Sequence, residues 1–476
     1  MLFNLQKHFG KRSKQKVMVI GLDCAEPSLL FDRWLDQLPN FRGLVEGGAY
    51  GRLRSCDPPI TVPAWSVMTS SQSPGALGIY GFRNRADHTY DRNTIANSMA
   101  VKVDRVWNIL SRNDKRVILI GIPQTFPPSP VNGLLVGDFL TPDTKSEYTH
   151  PPELKNEIAT VVGDYMLDVR DFRSDNKSGI LRDIFEMTEK RFKLATHLLS
   201  KEEWDFFMMV EIGVDRIHHA FWSYMDQAHR RYAAGNPFEN AIFDYYKFVD
   251  AKIGELLKFA DTNTTVLVVS DHGAQCMEGS VCINEWLMRE GYLALLEPVP
   301  KTPTPLAKLK VDWARTRAWG DGGYYSRIFL NVEGREPQGV VKPDEYELLR
   351  SELIEKLEAM PNEKGKPLGT KVFKPEQLYK VRRGVAPDLL AYFGNLAWRS
   401  AGTVGLGSIY TFENDTGPDD ANHGQFGVFI AKPPAGKSVK LEGMDIQDIA
   451  PTILRLFDLP IPTDMEGKVI EAAVQG

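Results

Sequence analysis

Acidic and histidine side chains lie next to several apolar runs of this sequence. Carboxylates and imidazoles are the ligands that proteins offer to zinc, and they also suit manganese and iron. Six residues of this kind directly follow or precede such runs, namely Asp23, Asp215, His219, Asp271, His272 and His423. We therefore regard these six residues as candidate ligands of divalent metal ions.

Two spacings within this set suit a shared ion. If the chain turns helical after Asp215, then Asp215 and His219 lie one turn apart on the same face of the helix. Asp271 and His272 point apart inside a strand, but they can converge at its end if Gly273 lets the backbone turn. Taken singly, each motif has a simpler interpretation, such as a surface pair on a helix or an aspartate that caps a helix. A common metal site is favoured because all of these motifs lie at strand ends.

A hydroxyl that suits a nucleophile occurs in the segment PPITVPAWSVMTS, residues 58–70. The prolines before Thr61 disfavour a helix, whereas Pro63 fits the first turn of a helix that covers residues 65–70. A helix N-terminus offers free N–H groups and the positive end of the helix dipole, which stabilise an alkoxide or a phosphate. Thr61 is therefore a candidate nucleophile or a helix N-cap, and the two roles are compatible.

The elements that must position these residues follow from the apolar pattern. Short apolar runs without alternation predict strands that are covered on both faces, and they lie at residues 17–23, 116–123, 206–215, 265–273 and 426–433. Amphipathic stretches at 183–199 and 237–259 predict helices. Strands that alternate with helices predict an α/β fold with a mostly parallel central sheet flanked by helices. Ligands of such sheets bind at the carboxyl ends of the strands, where the candidate residues lie.

The middle of the chain differs in composition, which suggests three regions. Residues 297–417 contain proline-rich and glycine-rich joints and a predicted helix at 343–360, so we predict an inserted, cap-like region there. Residues 17–296 and 418–476 form the predicted catalytic domain. Residues 1–16 form a basic N-terminal tail with five lysine or arginine residues and no acidic residue.

The overall composition excludes several classes of protein. The chain has 476 residues, of which 43% are hydrophobic and 25% charged, so it is neither disordered nor collagen-like. Four scattered cysteines without a CxxC pair suit a reducing compartment, and we expect a cytoplasmic protein. A net charge of −5 and a short basic tail predict no specific nucleic-acid binding. Peripheral membrane contact through the tail is the disfavoured alternative.

The order of the motifs resembles that of the alkaline phosphatase superfamily. The matching motifs are Asp23, Thr61-x-Pro, Asp215-x-x-x-His219, Asp271-His272-Gly273 and Asn422-His423-Gly424. Within the superfamily the chain is similar to the type I phosphodiesterase/nucleotide pyrophosphatase branch, and most of all to its predicted phosphohydrolase/phosphomutase group. The segments GREPQGVV (334–341) and DIAPTILRLFDLPIPTDMEGK (448–468) also match. The resemblance extends over nearly the whole chain beyond residue 16.

This resemblance implies an alkaline phosphatase-like fold with two divalent metal ions, zinc in most members and manganese or iron in some. One ion would be held by Asp23, Thr61, Asp271 and His272, and the other by Asp215, His219 and His423. Thr61 would attack a small phosphate ester (a phosphodiester, a nucleotide or a monoester), and water would hydrolyse the resulting phosphothreonine. The sequence leaves two alternatives open. One is a phosphomutase or phosphotransferase of the same superfamily, and the other is a metal-binding protein without catalysis that contacts a partner or a membrane surface.

The chain departs from the family pattern in three places. Cys24 stands where glycine commonly follows the first aspartate, and it is either a bystander or a thiol that tunes the site. His218 replaces a glycine, and we expect it to pack rather than to bind metal. The asparagine that binds a phosphoryl oxygen in phosphodiesterase relatives falls on Phe82, so Asn84 and Arg83 become the candidate substrate-binding residues. Further candidates for contacting a leaving group, each equally explicable by packing, are Trp319, Asp321, Tyr324, Tyr325, Arg335, Arg382 and Arg383.

Overall fold

The computed structural model describes residues 15–475, so the basic tail predicted at 1–16 lies almost entirely outside the described residues. In chain order, the strands are β1 (Lys16–Leu22), β2 (Ala49–Arg54), β3 (Arg83–Arg85), β4 (Asn93–Ile95), β5 (Val117–Ile120), β6 (Gly133–Val136), β7 (Thr149–His150), β8 (Phe206–Glu211), β9 (Thr264–Val269), β10 (Gly273–Cys276), β11 (Gly279–Cys282), β12 (Thr304–Pro305), β13 (Ala318–Asp321), β14 (Ser326–Leu330), β15 (Lys371–Phe373), β16 (Leu389–Tyr392), β17 (Trp398–Ala401), β18 (Thr403–Val404), β19 (Tyr410–Thr411), β20 (Ala421–Gly424), β21 (Phe426–Lys432) and β22 (Val439–Asp445).

The α-helices of the described residues alternate with these strands. They are α1 (Pro39–Glu46), α2 (Thr61–Ser70), α3 (Pro74–Leu77), α4 (Val106–Arg112), α5 (Leu154–Val162), α6 (Lys177–Lys201), α7 (Gly213–Met225), α8 (Ala241–Leu256), α9 (Ile283–Arg289), α10 (Tyr346–Glu358), α11 (Pro375–Leu378), α12 (Ile449–Leu456) and α13 (Glu471–Val474). The helices predicted at 183–199, 237–259 and 343–360 correspond to α6, α8 and α10. No helix of the described segment is long and apolar enough to cross a membrane.

A nine-stranded sheet runs through the centre in the order β22-β2-β21-β9-β1-β8-β5-β6-β7. Strands β9, β1, β8, β5 and β6 pair in parallel, whereas β21 runs antiparallel to both of its neighbours. The predicted α/β fold with a mostly parallel central sheet is therefore confirmed. After the strand predicted at 426–433, the chain forms one further strand, β22, which adds to the sheet edge beside β2.

Helices cover both faces of this sheet, which explains why its central strands β1, β5, β8 and β9 are almost entirely apolar. In β1, Met18 and Ile20 pack on the face covered by α1, α6, α7 and α8. Val17 and Val19 pack on the opposite face against α2, α4 and α12. Successive side chains of a strand point to opposite faces, so a strand between two helical layers needs apolar residues at every position.

The register of the central strands brings the candidate residues to one edge. Gly21 of β1 is level with Val210 of β8 and Val269 of β9, so the chain leaves all three strands at the same edge. Because β21 is antiparallel to β9, it begins where β9 ends, and β20 with His423 lies directly before it.

The inserted region has a sheet and an apolar core of its own. Its antiparallel sheet has the order β13-β14-β16-β15 and packs with α10. The same apolar core includes Val281, Ile283 and Leu287, which precede residue 297. Helix α9, which precedes residue 297, thus packs against the core of the inserted region. The boundary at residue 297 stays a prediction.

Candidate metal centre

The first group of candidate ligands consists of Asp23, Asp271 and His272, one ligand atom of each lying within 4.8 Å of the others. Asp23 directly follows β1, and Asp271 and His272 connect β9 to β10. Nε2 of His272 lies 3.1 Å from Oδ2 of Asp271 and 3.7 Å from Oδ1 of Asp23. All three side chains are buried.

The second group consists of Asp215, His219 and His423, again with ligand atoms within 4.8 Å of one another. Asp215 and His219 both lie in α7, which puts them one turn apart on one face as the sequence predicts. Nε2 of His219 lies 3.2 Å from Oδ1 of Asp215 and 3.3 Å from Nε2 of His423. His423 reaches the group from β20, about two hundred residues further along the chain.

The hydrogen bonds of the three histidines fix which nitrogen faces the centre. Nδ1 of His272 lies 3.1 Å from the carbonyl oxygen of Gly273, and Nδ1 of His423 lies 2.9 Å from that of Pro59. A carbonyl can only accept, so Nδ1 carries the proton in both rings, and in the neutral imidazole Nε2 presents a lone pair. Nδ1 of His219 lies 2.7 Å from Oδ1 of Asp419. Metal-binding histidines in proteins are oriented by such contacts.

The donor set fits metal ions because its acceptors face one another without hydrogens between them. Oδ1 of Asp215 and Oδ2 of Asp271 are buried, and neither accepts a hydrogen bond from residues 15–475. A buried carboxylate oxygen beside a nitrogen lone pair is unfavourable unless a cation lies between them. Asp23, Asp271 and His272 therefore suit one divalent ion, and Asp215, His219 and His423 a second.

Burial and neighbouring charges shift the pKa values of the candidate ligands. Burial raises the pKa of Asp23 and of Asp271, and the carboxylates beside them raise it further. Burial alone would also raise the pKa of Asp215, but His219 and Arg216 outweigh it and hold that pKa well below its usual range. Burial lowers the pKa of His272 to about 4, so this ring is neutral at pH 7. Asp419 and Asp215 outweigh burial and raise the pKa of His219 well above its usual range, so this ring has to lose a proton when it binds a cation.

Thr61 is the first residue of α2 and faces the first group of ligands. Its Oγ1 lies 3.2 Å from Nε2 of His272 and 3.4 Å from Oδ1 of Asp23. The N-cap of α2 is Ile60, so the interpretation of Thr61 as an N-cap is wrong. Trp65, one turn further along α2, donates from Nε1 to Oδ2 of Asp23 over 2.7 Å and holds that carboxylate in place.

Asp419 links the second group of ligands to two arginine side chains that the sequence did not indicate. Besides His219, its carboxylate accepts hydrogen bonds from Arg173 and Arg399. These three partners outweigh burial and keep the pKa of Asp419 far below its usual range. The segment DDANHG does not distinguish Asp419 from Asp420, which instead pairs with Arg231. The two arginines carry no sequence signal.

Two of the departures from the family pattern, Cys24 and His218, are direct sequence neighbours of the candidate ligands Asp23 and His219. Cys24 adopts a φ of +66°, a left-handed conformation that favours glycine, and its thiol donates to the carbonyl oxygen of Gly273. His218 is buried beside the hydroxyl of Tyr246, at 3.3 Å, and its role as a packing residue stays a prediction. The chain bends between β9 and β10 as expected, and Asp271 and His272 converge there although Gly273 has no positive φ. A Cβ at Gly273 would lie 2.2 Å from the carbonyl oxygen of Phe426, which is why glycine is needed.

A cavity of about 730 Å³ opens beside the metal centre. Among the residues that line it, Ile60 precedes Thr61 and Arg216 follows Asp215. Tyr324 also lines it and stacks on His423. Five guanidinium groups line the cavity, namely those of Arg83, Arg173, Arg216, Arg327 and Arg399. Four of them pair with carboxylates: Arg173 and Arg399 with Asp419, Arg216 with Asp168 and Asp215, and Arg327 with Asp321. Within residues 15–475, Arg83 is the lining arginine without a carboxylate partner, so its charge is available to an anion.

The substrate-binding candidates divide between this cavity and other places. Arg83 lines the cavity, as do Asp321, Tyr324 and Tyr325. Asn84 instead bonds within its own loop, accepting from the N–H of Tyr80 and donating to the carbonyl oxygen of Gly81. The remaining candidates, Trp319, Arg335, Arg382 and Arg383, do not line the cavity. Their assignment to substrate stays a prediction.

Comparisons with known proteins identify relatives of this architecture. The model of a family described as type I phosphodiesterase/nucleotide pyrophosphatase matches residues 17–419. A search of the curated proteins finds no match. One similar solved structure is murine ectonucleotide pyrophosphatase/phosphodiesterase 5, an inactive threonine-to-alanine variant in complex with AMP. Its TM-score is 0.56 at 14% sequence identity, and the alignment covers 94% of this chain and 96% of the murine chain. The human protein of the same name has a TM-score of 0.55 at 15% identity, covering 97% and 99%. At such identity the likeness of the structures demonstrates a common fold.

Proposed function

The chain belongs to the type I phosphodiesterase/nucleotide pyrophosphatase family and is a hydrolase of phosphoric ester bonds, and we propose that it cleaves its substrate through two metal ions and a phosphothreonine at Thr61. The observation that carries this proposal is the position of Thr61. Its hydroxyl lies within 3.4 Å of both Asp23 and His272, in the first turn of a buried helix. The hydrolase assignment replaces the alternative of a metal-binding protein without catalysis.

In the proposed reaction, Oγ1 of Thr61 loses its proton and attacks phosphorus, while the bond from phosphorus to the leaving oxygen breaks. The leaving oxygen takes up a proton, and the phosphoryl group stays on Thr61. Water then attacks phosphorus and releases the threonine hydroxyl together with the second product. Helix α2 begins at Thr61, so the N–H groups of its first turn can hold a phosphoryl oxygen at the positive end of the helix dipole.

Asp23, Asp271 and His272 would hold one divalent cation next to Thr61, and Asp215, His219 and His423 the other. When bound, such ions favour the alkoxide form of the nucleophile and stabilise charge on the leaving oxygen. The mixed carboxylate and imidazole donors suit zinc, with manganese or iron as alternatives. Asp419 orients His219, and Trp65 orients Asp23, so each group of ligands has a neighbour that fixes its geometry.

The substrate we propose is a small phosphodiester or nucleotide whose remaining part lies in the cavity beside the metal centre. The guanidinium group of Arg83 supports an anionic substrate, and the aromatic ring of Phe82 offers a surface for a planar group. The murine neighbour was solved with AMP, which supports nucleotides as the first compounds to test.

The experiment that tests this function uses the full chain with bis-p-nitrophenyl phosphate and a set of nucleotides. We expect metal-dependent hydrolysis that a chelator abolishes and added zinc or manganese restores. Thr61→Ala should lower kcat by about 10³-fold or more, whereas Thr61→Ser keeps a hydroxyl and retains much of the activity. Acid quenching during turnover, followed by peptide mass analysis, should find a phosphoryl group on Thr61 in the wild type.

Unchanged activity of Thr61→Ala would refute the nucleophile assignment, and activity that survives complete metal removal would refute the role of the ions. A phosphotransferase remains distinguishable from a hydrolase in the same assay. If an added alcohol at low concentration receives the phosphoryl group faster than water does, the phosphothreonine supports transfer as well as hydrolysis.

A further inference from the structure

Four side chains form one continuous stack that connects the metal centre to the inserted region. The imidazoles of His272 and His423 have centroids 3.7 Å apart and are inclined by 18°. The ring of Tyr324 lies 3.8 Å from His423 at 23°, and the guanidinium carbon of Arg399 lies 4.6 Å from the centroid of Tyr324. The two histidines belong to the two different groups of ligands, whereas Tyr324 and Arg399 come from the inserted region.

The ring of Tyr324 is held in this stack from several sides. Its hydroxyl oxygen accepts a hydrogen bond from Arg173 over 3.0 Å. Its carbonyl oxygen accepts one from Nδ2 of Asn422, the residue before His423, over 3.1 Å. The preceding residue, Gly323, pairs through its N–H and carbonyl with Ser400 at 2.8 and 2.9 Å. The φ of +145° at Gly323 suits glycine, so the loop that presents Tyr324 depends on it.

The contacts of His423 explain why such a neighbour matters. Its hydrogen bond from Nδ1 to the carbonyl oxygen of Pro59 fixes one point of the ring but leaves the ring free to tilt about that contact. Packing on both faces removes this freedom, since His272 covers one face and Tyr324 the other. A side chain packed on both faces keeps the position that its neighbours impose.

We propose that Tyr324 is a positioning residue that fixes the imidazole plane of His423 and aims its Nε2 at the second metal ion. This inference rests on the metal-dependent function proposed above. It means that the inserted region, through a residue that binds no metal, completes the second metal site. The cap-like region is then required for metal binding as well as for contacts with substrate.

The test compares substitutions that keep or remove the aromatic face. Tyr324→Phe keeps the stack on His423 and loses only the hydrogen bond from Arg173. Tyr324→Leu keeps the apolar volume and removes the aromatic face. The matched control is Tyr410→Leu, because Tyr410 also belongs to the inserted region and packs edge-on against Trp398 at 5.8 Å.

Metal affinity is measured for each full-length variant by titrating the metal-free protein with Zn²⁺ against a chromophoric chelator. Loss of a residue that orients a ligand typically weakens metal binding by about 10- to 100-fold. We expect Tyr324→Leu to weaken one of the two ions by about 10-fold or more, with the other ion much less affected. Tyr324→Phe should restore wild-type affinity, and Tyr410→Leu should not change it.

A second measurement does not depend on metal. In protein with ¹³C-labelled histidine, the face of Tyr324 should shield the ring protons of His423, whose signal is assigned from its loss in His423→Gln. Tyr324→Leu should move that signal downfield, and Tyr324→Phe should not.

Wild-type affinity for both ions in Tyr324→Leu, or an equal loss in Tyr410→Leu, would overturn the positioning role. An unmoved His423 signal in Tyr324→Leu would do the same. If the wild type binds none of Zn²⁺, Mn²⁺ and Fe²⁺ while the His423 signal shifts as expected, the proposed function fails and the stack stands.

Discussion

Replacing Asp419 by asparagine should destabilise the protein and weaken its second metal site. The carboxylate of Asp419 accepts hydrogen bonds from His219, Arg173 and Arg399, and its side chain is fully buried. Within residues 15–475, neither arginine pairs with another carboxylate. An asparagine has one acceptor oxygen and no charge, so it cannot serve three donors.

The magnitude follows from the burial of the two arginines. The side chain of Arg399 is 6% exposed and that of Arg173 is 22% exposed, so Arg399 is the charge that loses its counter-ion without water to replace it. Removing one partner of a buried ion pair costs about 3–5 kcal/mol. Because Arg173 is partly hydrated, we expect a loss near the lower end, about 3 kcal/mol. Disorientation of His219 should also weaken metal binding by about 10-fold or more.

The pH dependence gives an independent check. Although burial raises the pKa of Asp419, His219 and the two arginines depress it strongly. A carboxyl with a depressed pKa contributes stability above its unfolded pKa of about 3.9, and this contribution is lost as the pH falls further. The difference in stability between wild type and Asp419→Asn should therefore be full at pH 7 and should shrink below about pH 4.

The assay is denaturant unfolding of the metal-free proteins at several pH values, with Zn²⁺ titration of the folded proteins. Asp87→Asn is the control, because Asp87 pairs with Arg92 at the surface and should leave both measurements unchanged. If Asp419→Asn unfolds with the same free energy as the wild type at pH 7, the two arginines do not depend on this carboxylate and the reasoning is wrong.

Three further substitutions test single contacts. Cys24→Gly relieves a left-handed φ of +66° but loses a buried thiol. The free energy of unfolding should therefore change by no more than about 1 kcal/mol, and activity should be retained. A large loss of activity would instead make the thiol functional. Trp65→Phe removes the hydrogen bond from Nε1 to Asp23, which spans 2.7 Å. It should destabilise the metal-free protein by about 1–3 kcal/mol in denaturant unfolding. Unaltered stability would contradict the role of Trp65 in holding the carboxylate of Asp23. Arg83→Ala should raise KM for an anionic diester several-fold, because the side chain lines the cavity. Because the side chain is exposed, kcat and thermal stability should be unchanged. An unchanged KM would exclude Arg83 from the substrate site.

Much of the fold was predictable because its signals are local. The apolar runs at 17–23 and 265–273 indicate strands without knowledge of their neighbours, because a strand covered on both faces needs apolar residues at every position. The spacing of Asp215 and His219 suits one ion only on a helix, and α7 supplies that helix. The boundary of the inserted region was less predictable, because α9 packs into the core that follows it in sequence.

The parts that sequence missed depend on contacts between distant segments. Asp419 meets Arg173 across 246 positions, and Asn422 meets Tyr324 across 98. No local pattern distinguishes Arg173, in a loop, and Arg399, in β17, from the arginines on the surface. The need for glycine at Gly273 was equally hidden, because the atom that excludes a side chain belongs to Phe426.

Five strands of the central sheet, three of the helices and the types of residue next to these strands could be predicted from sequence, because hydrophobic periodicity and hydrogen-bonding capacity are properties of neighbouring residues. Three features of the site follow from tertiary packing: which nitrogen of each histidine faces the centre, which carboxylate oxygens accept no hydrogen bond from residues 15–475, and the contact of Tyr324 with His423. These features depend on how separate segments pack at distances of 3 to 4 Å, and such packing is fixed only when the sheet, its helices and the inserted region come together.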